Sequence, residues 1–346
     1  MKIAIISVTG NAKNLGLEIQ EKLSKDPTVI KCDCFYKNVK ENFNYAFNNY
    51  DGIIAIMASG ITVRTVAPLI KSKDKDPAIL NIDEKGEYVV SLLSGHLGGG
   101  NDLTRKIARL IRAKPVISTS TDVNYKYGVD TIASRYYYRI NNVKSILSFN
   151  KAVLNNIPFT IKSEKDISFL KKYFLGCKFE QLPGKGYSDN NLENKVDLGQ
   201  IQFSFKSDSQ EFTLEMDERK LVVGIGSRRG KTMQNVMIAV ENALENLNIP
   251  ISRVNSFATI SIKKDEEGII NACKHYNRPL EIINIDEVRN FTSDDCSRSE
   301  FVQKKFGIDG VCEQCAMIAA GEGGELIHKK IAMDGVTVAV AVSKYI

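Results

Sequence analysis

A histidine within a glycine-rich turn is the feature of this sequence best suited to chemistry. His96 is one of three histidines among 346 residues, and it stands between Ser94 and Gly95 on one side and three glycines, residues 98–100, on the other. Imidazole titrates near neutral pH, and glycine lets a backbone approach a ligand closely. We therefore predict that His96 acts as a general base or an oxyanion donor, while a histidine that only braces the loop is the alternative.

Ser94 is a second candidate for catalysis, as a nucleophile two residues before His96. A serine nucleophile needs a base within hydrogen-bond reach. The segment does not read G-x-S-x-G, and the sequence shows no order of serine, histidine and acid that marks a triad. Covalent catalysis is therefore the secondary hypothesis for this turn.

A second glycine-rich turn, Gly224 to Gly230, reads GIGSRRG and stands between a predicted strand and a predicted helix. Its G-x-G-x-x-x-G spacing departs from the dinucleotide fingerprint, and no acidic residue ends the next predicted strand. Arg228 and Arg229 at a helix N-terminus predict a carboxylate site instead, because guanidinium groups bind carboxylates through two hydrogen bonds. A structural turn with solvated arginines is the alternative.

The elements around the histidine turn predict how it is positioned. An apolar strand over 88–93 enters the turn, and a helix follows it to about Arg112. A similar unit begins with an apolar strand over 52–57 and continues into a helix over 61–70, with Arg64 near its start. Turns of this kind gather at the carboxyl ends of parallel strands, so we expect Arg64 and His96 to face one crevice.

The order of elements predicts an α/β fold with several domains. We expect an N-terminal Rossmann-like parallel-sheet domain over 1–140, a small middle domain with a linker over 141–219, and a C-terminal α/β domain over 220–346. The middle segment is rich in Lys, Asn and Ser and has weak periodicity. An unstructured insertion is the alternative there. The polar segment 119–124 is expected to close the ligand edge of the first domain.

Composition limits the classes of partner. The formal net charge of +6 and the pI near 8.7 favour an anionic small molecule such as a polycarboxylate, and they do not reach the level typical of nucleic-acid binding. No stretch approaches the roughly 18 apolar residues of a membrane span, and the N-terminal apolar run is too short for a signal peptide. We therefore expect a cytosolic protein that binds neither nucleic acid nor membrane.

The seven cysteines are predicted to be reduced thiols. Cys312 and Cys315 form a C-x-x-C on a predicted helix, and Cys32 and Cys34 form a C-x-C on a predicted strand. Neither pair has a second pair at zinc-finger spacing. Ordinary buried thiols are therefore preferred over a metal or redox site.

Six stretches of the chain resemble the cobalt-precorrin-5A hydrolase family of anaerobic cobalamin biosynthesis. They are GITVRTVAPLIKSKDKDPAIL, VVSLLSGHLGGGNDLTRKIA, LVVGIGSRRG, FATISIKKDEEGI, and GGELIHKK with GVTVAVAV. SGHLGG and GIGSRRG stand in the order and at the separation that the family shows, with a variable region between them. The family turn often has cysteine where this chain has Ser227, so the resemblance implies no essential thiol nucleophile there.

The resemblance implies a carbon–carbon hydrolase that opens the ring A δ-lactone of cobalt-precorrin-5A, expels the meso carbon and its methyl group as acetaldehyde, and yields cobalt-precorrin-5B. Cobalt would arrive in the tetrapyrrole substrate, so no cofactor or metal of the protein's own is expected. Homo-oligomer formation stays open. A non-catalytic tetrapyrrole carrier and a nucleotide-dependent oxidoreductase are the alternative functions.

The resemblance and the two turns together suggest roles for individual residues. His96 would activate or orient water, the N–H groups from Gly98 to Asn101 would stabilise the oxyanion, and arginines would hold substrate carboxylates across a cleft between the first and last domains. The predicted catalytic residues are His96 and Ser94. The predicted substrate-binding residues are Ser59, Gly60, Arg64, Gly95, Gly98, Gly99, Gly100, Asn101, Gly224, Gly226, Ser227, Arg228, Arg229, Gly230 and Thr259.

Overall fold

The computed structural model describes residues 1–73, 75–182, 196, 198–207 and 209–344. Their contacts group the chain into two compact units. Unit 1 is Met1–Arg135 with Asn142–Phe159, and unit 2 is Tyr136–Asn141 with Thr160–Ile346. The predicted division into three segments stays a prediction. Within the predicted middle segment, residues 183–195, 197 and 208 lie outside the described residues.

Unit 1 is a six-stranded sheet with helices packed on it. Its elements are β1 (Lys2–Ser7), α1 (Gly10–Ser24), β2 (Lys31–Tyr36), α2 (Val39–Asn49), β3 (Gly52–Ile56), α3 (Ser59–Val66), β4 (Ala78–Ile82), β5 (Tyr88–Leu93), α4 (Gly100–Ile111), β6 (Lys114–Val116), α5 (Ser120–Val123), α6 (Val129–Arg135) and α7 (Ile146–Leu154). The central strands β3 and β4 are buried along their whole length, as expected for a sheet covered on both faces.

Strand order in unit 1 decides where the two strand–turn–helix units lie. The order is β2-β1-β3-β4-β5-β6. Strands β1 to β4 run parallel to one another, but β5 pairs antiparallel with β4, with Ile79 opposite Leu93 and Ile82 opposite Val89. The carboxyl end of β5 therefore lies at the edge where β3 and β4 begin, not at the edge where they end.

Unit 2 contains two five-stranded sheets. Its elements are β7 (Tyr138–Ile140), β8 (Thr160–Ser163), β9 (Lys178–Gln181), β10 (Gln200–Ser207), β11 (Gln210–Glu218), β12 (Leu221–Ser227), α8 (Met233–Leu247), β13 (Ser256–Ile260), α9 (Glu267–His275), β14 (Leu280–Ile283), α10 (Ile285–Asn290), α11 (Glu300–Phe306), α12 (Cys312–Ala320), β15 (Glu325–Met333) and β16 (Val336–Val342). Their orders are β7-β11-β10-β8-β9 and β14-β13-β12-β16-β15.

Strands β8 to β11 of the first of these sheets and helix α7 of unit 1 lie in the described part of the predicted middle segment, so an unstructured insertion is wrong for that part. The second sheet is parallel from β12 to β14 and antiparallel where β12, β16 and β15 pair. The predicted fold class, α/β with several domains and parallel-sheet regions, is confirmed. Among the described residues, no helix is long and apolar enough to cross a membrane.

A buried arginine joins the two sheets of unit 2. Arg253 is 1% exposed and donates hydrogen bonds to the carbonyl oxygens of Tyr136 (2.7 Å), Tyr137 (2.7 Å) and Arg219 (2.6 Å). A further guanidinium nitrogen donates to Asn255 Oδ1 at 2.8 Å. One side chain therefore satisfies backbone carbonyls that lie beside strands of both sheets.

Candidate active site

The turn between β5 and α4 is held by its own backbone. The N–H groups of Gly99, Gly100 and Asn101 donate to the carbonyl oxygens of His96 (2.9 Å), Ser94 (3.1 Å) and Gly95 (2.8 Å). Of the four amides predicted to form the oxyanion site, only that of Gly98 has no acceptor among the described residues. Three of the four predicted donors are therefore already engaged within the turn, and an oxyanion contact from the Gly98 amide stays a prediction.

Gly98 and Ser94 pack closely against each other within the turn. A Cβ added at Gly98 would lie 2.6 Å from Ser94 Cβ, so no larger residue fits there without a shift of the turn. Ser94 has a φ of 53° and is 9% exposed, and its hydroxyl has no hydrogen-bond partner in the described part of the chain. A nucleophile must reach its substrate, and this hydroxyl is buried, so the catalytic role of Ser94 stays a prediction.

His96 lies between two carboxylates. Its Nδ1 is 3.0 Å from Asp130 Oδ2, its Nε2 is 2.9 Å from Asp122 Oδ2, and the hydroxyl of Thr121 is 3.1 Å from the same Nε2. The three side chains are nearly buried, with 11%, 10% and 7% exposure for His96, Asp122 and Asp130. Both ring nitrogens are therefore engaged.

Further donors complete the carboxylate contacts. Asp122 accepts from Asn101 Nδ2 at 2.9 Å and from Arg105 at 2.5 Å, and Asp130 accepts from Asn150 Nδ2 at 2.9 Å. With His96 protonated, His96 and Arg105 carry two positive charges and the two aspartates carry two negative charges. These four charges then sum to zero, with Arg105 more exposed than the other three at 39%, and this balance lowers the cost of burying the histidine and the two aspartates.

The aspartates keep His96 protonated. Burial alone lowers the pKa of His96, but the hydrogen bonds to Asp122 and Asp130 outweigh burial and raise that pKa to about 9. Burial opposes ionisation of the aspartates, yet the hydrogen bond from His96 and the other donors hold the pKa of each below its usual 3.8. At neutral pH the ring is thus an imidazolium. An imidazolium can donate a proton but cannot accept one, so this pKa favours an acid, and the general-base role of His96 stays a prediction.

The same pKa shifts predict a pH dependence of stability. His96 has a higher pKa in the folded chain, so its contribution is complete below pH 6.5 and is lost as the pH rises through about 9. Asp122 and Asp130 have lower pKa values in the folded chain, so their contribution is present above pH 3.8 and is lost as the pH falls below it. Chemical unfolding from pH 5 to 10 should show an alkaline loss on the order of 3 kcal/mol from His96. The variant His96→Gln should lack this loss. An equal dependence of the free energy of unfolding on pH in the two proteins would contradict the assignment of the alkaline loss to His96.

Sequence reasoning missed Asp122, Asp130 and Arg105. Asp122 lies in the polar segment 119–124 that was predicted to border the ligand edge, so a signal for it existed. Asp130 follows His96 by 34 residues, and no spacing rule connects them.

Arg64 does not lie beside His96. Ser59, Gly60 and Arg64 are exposed at the start of α3, beyond the carboxyl end of β3, and the guanidinium nitrogens fold over Gly60. The histidine turn lies at the opposite edge, near the backbone nitrogen of Ala78 where β4 begins. Five strand residues separate the two edges by roughly 15 Å. The expected shared crevice is therefore wrong, because β5 runs antiparallel; substrate binding by these three residues stays a prediction.

The second glycine-rich turn joins β12 to α8 in unit 2. Arg228, Arg229 and Gly230 are exposed there, and the Gly230 N–H donates to Glu266 Oε2 at 3.2 Å. Thr232 caps α8 by accepting from the Asn235 N–H at 3.3 Å. The exposed guanidinium groups are thus available to a carboxylate ligand, as predicted from their types.

The other residues predicted near this turn are packed within the protein. A Cβ at Gly224 would lie 1.9 Å from the carbonyl oxygen of Cys312, and one at Gly226 would lie 2.6 Å from Thr337 Oγ1. Thr259 is completely buried and donates to the Ile225 carbonyl oxygen at 2.8 Å. Because Gly224, Gly226 and Thr259 contact protein atoms in this way, the prediction that they contact the substrate is corrected. Ser227 lies at the last position of β12, and its buried hydroxyl has no partner among the described residues.

The C-x-x-C pair lies inside α12. Cys312 and Cys315 are buried, and burial raises the pKa of the Cys312 thiol to about 12 and that of Cys315 further still. Both thiols are protonated at neutral pH, which disfavours metal binding and thiolate chemistry. Cys34 behaves similarly, since burial raises its pKa to about 11.

Two family models match this chain. The family model described as Cobalamin synthesis G N-terminal matches residues 41–122, which include the histidine turn. The model described as Cobalamin synthesis G C-terminus matches residues 221–341, which include the turn with Arg228 and Arg229.

Similarity extends over the whole chain. A protein of Methanocaldococcus jannaschii named Probable cobalt-precorrin-5A hydrolase is 33% identical, with 99% of each chain covered. The cobalt-precorrin-5A hydrolase of Priestia megaterium is 28% identical, with 99% of this chain and 95% of the relative covered. The crystal structure of a protein described as a putative cobalamin biosynthesis protein G homolog from Sulfolobus solfataricus is 25% identical, with a TM-score of 0.59 over 99% of this chain and 97% of that one. By this end-to-end similarity, the chain belongs to the cobalt-precorrin-5A hydrolase family.

Proposed function

We propose that this chain opens the ring A δ-lactone of cobalt-precorrin-5A and releases acetaldehyde, which gives cobalt-precorrin-5B in anaerobic cobalamin biosynthesis. The observation that carries the proposal is the 33% identity over 99% of both chains to a relative named for this activity. Cobalt enters bound in the substrate, so the protein's own residues need to supply only binding and proton transfer.

In the proposed reaction, His96 donates a proton from one ring nitrogen, after the hydrogen bond of that nitrogen to Asp122 or Asp130 breaks. Water adds to the acyl carbon of the lactone, and the ring oxygen leaves and takes a proton, which gives a carboxyl group and a hydroxyl on the meso carbon. The hydroxyl then loses its proton to form the acetaldehyde carbonyl, while the bond between the meso carbon and the macrocycle breaks and leaves its electron pair on the macrocycle. An imidazolium suits the leaving oxygen, because a general acid must be protonated at the working pH. Asp122 and Asp130 support this role by keeping the ring charged. The Gly98 amide, which has no acceptor within the part of the chain that the structure describes, is the backbone donor we assign to the developing oxyanion.

Arg228 and Arg229 are proposed to bind acetate or propionate arms of the substrate. Replacing either with alanine should raise KM about tenfold with a smaller change in kcat, because the contact is present in both the ground state and the transition state. Steady-state acetaldehyde release measures both constants. The matched control is Arg298→Ala, which removes a guanidinium that is 84% exposed elsewhere in unit 2. An unchanged KM in both turn variants would contradict the clamp.

The experiment for the function is anaerobic incubation of the protein with cobalt-precorrin-5A and trapping of the volatile aldehyde. We expect one equivalent of acetaldehyde per corrinoid converted. Corrinoid bound but recovered unchanged would favour a carrier. The oxidoreductase alternative has no support in the geometry, because Gly224 and Gly226 pack against protein atoms and leave no close approach for a pyrophosphate.

A further inference from the structure

A cavity of about 680 Å³ lies in unit 2 where the first turns of α8 and α9 meet. Arg229 and Lys231 contribute positive charge to its lining, and Met233 and Ile262 contribute apolar surface. Its lining is complementary to an arm of a tetrapyrrole, which is a short apolar chain that ends in a carboxylate.

A glycine brings the two helix N-termini together at this cavity. A Cβ at Gly268, in the first turn of α9, would lie 2.1 Å from the Lys231 carbonyl oxygen, so only glycine permits this approach. Helix α8 has 15 residues and α9 has 9. The N-terminus of each helix favours negative charge.

The protein's own Glu266 already places a carboxylate at this position. Glu266 Oε2 accepts from the Gly230 N–H at 3.2 Å, and Oε1 accepts from Lys263 Nζ at 2.9 Å. The hydrogen bond from Lys263, with smaller contributions from the Gly230 amide and the charge of Arg229, holds the pKa of Glu266 below its usual value. An ionised carboxylate therefore already accepts the hydrogen bond from the Gly230 amide in the turn that carries Arg228 and Arg229.

We propose that this cavity is the subsite for one carboxylate arm of the substrate, and that Glu266 occupies its anion position until the arm displaces it. The proposal rests on the proposed function, which supplies a polycarboxylate tetrapyrrole as the ligand.

The two oxygens of Glu266 explain how the exchange occurs. The long contact to Gly230 can break while the shorter ion pair with Lys263 persists, so Glu266 keeps a partner. The Gly230 amide and the guanidinium of Arg229 then become available to the arm. The carboxylates of Asp265 and Glu267 also line the cavity, but both are exposed, so solvent screens most of their repulsion of the arm.

The test measures binding of uroporphyrin I, a stable tetrapyrrole with acetate and propionate arms, to the full chain by fluorescence titration. Glu266→Gln keeps the shape of the side chain and removes the competing charge, so we expect about tenfold tighter binding. The matched control is Glu267→Gln, which removes an equal charge from the same cavity but not from the Gly230 amide, and should change the Kd less than about twofold. Thermal unfolding confirms that both variants are folded.

Two results would overturn the subsite: unchanged or weaker binding by folded Glu266→Gln, or equal tightening by both variants. The readout is separate from catalysis. Tighter binding by Glu266→Gln in a protein that releases no acetaldehyde supports the subsite and contradicts the proposed function. Acetaldehyde release without such tightening supports the proposed function and contradicts the subsite.

Discussion

Replacing His96 with glutamine is expected to lower kcat for acetaldehyde release about a hundredfold or more, the usual range for loss of a general acid. Glutamine can still donate one hydrogen bond to Asp122 or Asp130, but it has no proton to transfer. The KM should change much less, since the proton is needed only when the lactone oxygen leaves.

The control for this prediction is His275→Gln, which replaces an exposed histidine of α9 and should leave kcat unchanged. The pH profile separates an acid from a base. A required imidazolium gives activity below about pH 9 that falls above it, whereas a required neutral ring gives activity only above that pH. A kcat within threefold of wild type in folded His96→Gln would contradict proton donation by His96.

A variant that keeps His96 but removes one carboxylate tests the same network. In Asp122→Asn the ring loses one of its two stabilising charges, so the pKa of His96 should fall and the alkaline limb of the rate profile should move to lower pH. An alkaline limb at an unchanged pH would show that a group other than His96 causes the loss of activity at high pH.

Replacing Arg253 with alanine should cause the largest loss of stability, about 3–5 kcal/mol of the free energy of unfolding. The substitution removes the guanidinium donors of three backbone carbonyls and of the Asn255 side-chain oxygen. The Tyr137 carbonyl keeps the Arg219 N–H at 3.1 Å, and Asn255 Oδ1 keeps the Leu221 N–H at 2.8 Å. Burial raises the pKa of the Glu218 carboxyl, and the charges of Arg253 and Lys165 lower it, so the substitution also removes one of the two positive charges that stabilise this buried carboxylate.

Urea unfolding followed by circular dichroism measures this loss. The control is Arg278→Ala, because Arg278 also donates to backbone carbonyls, those of Val254 (2.7 Å) and Ser252 (3.0 Å), but is only half-buried. We expect the control to lose about 1 kcal/mol. A loss below about 1 kcal/mol for Arg253→Ala would mean that water replaces the guanidinium at low cost.

The sequence predicted the local units better than their arrangement. Apolar runs and glycine-rich turns predicted β5, the histidine turn and α4, because these signals are local. The direction of β5 depends on which strand it pairs with, and the hydrophobic run that predicts a strand does not indicate its pairing partner. The expected neighbourhood of Arg64 and His96 was therefore wrong although both turns were predicted correctly.

The chemistry of the site shows the same limit. Histidine and glycine marked the turn, but the protonation state of His96 is set by Asp122 and Asp130, which reach it through tertiary packing. The sequence did not predict the burial of Arg253 either, because a charged residue in a predicted connection between elements is usually solvated. Buried charge is recognisable only once its partners are placed around it.

The most direct test of the account is the reaction of cobalt-precorrin-5A with the protein under anaerobic conditions in water enriched in ¹⁸O. Hydrolysis of the lactone at its acyl carbon predicts one equivalent of acetaldehyde and one ¹⁸O atom in the ring A acetate of the corrinoid product, detected by mass spectrometry. Corrinoid recovered without ¹⁸O, and with no acetaldehyde, from folded protein would contradict the assignment of this chain as the lactone-opening hydrolase.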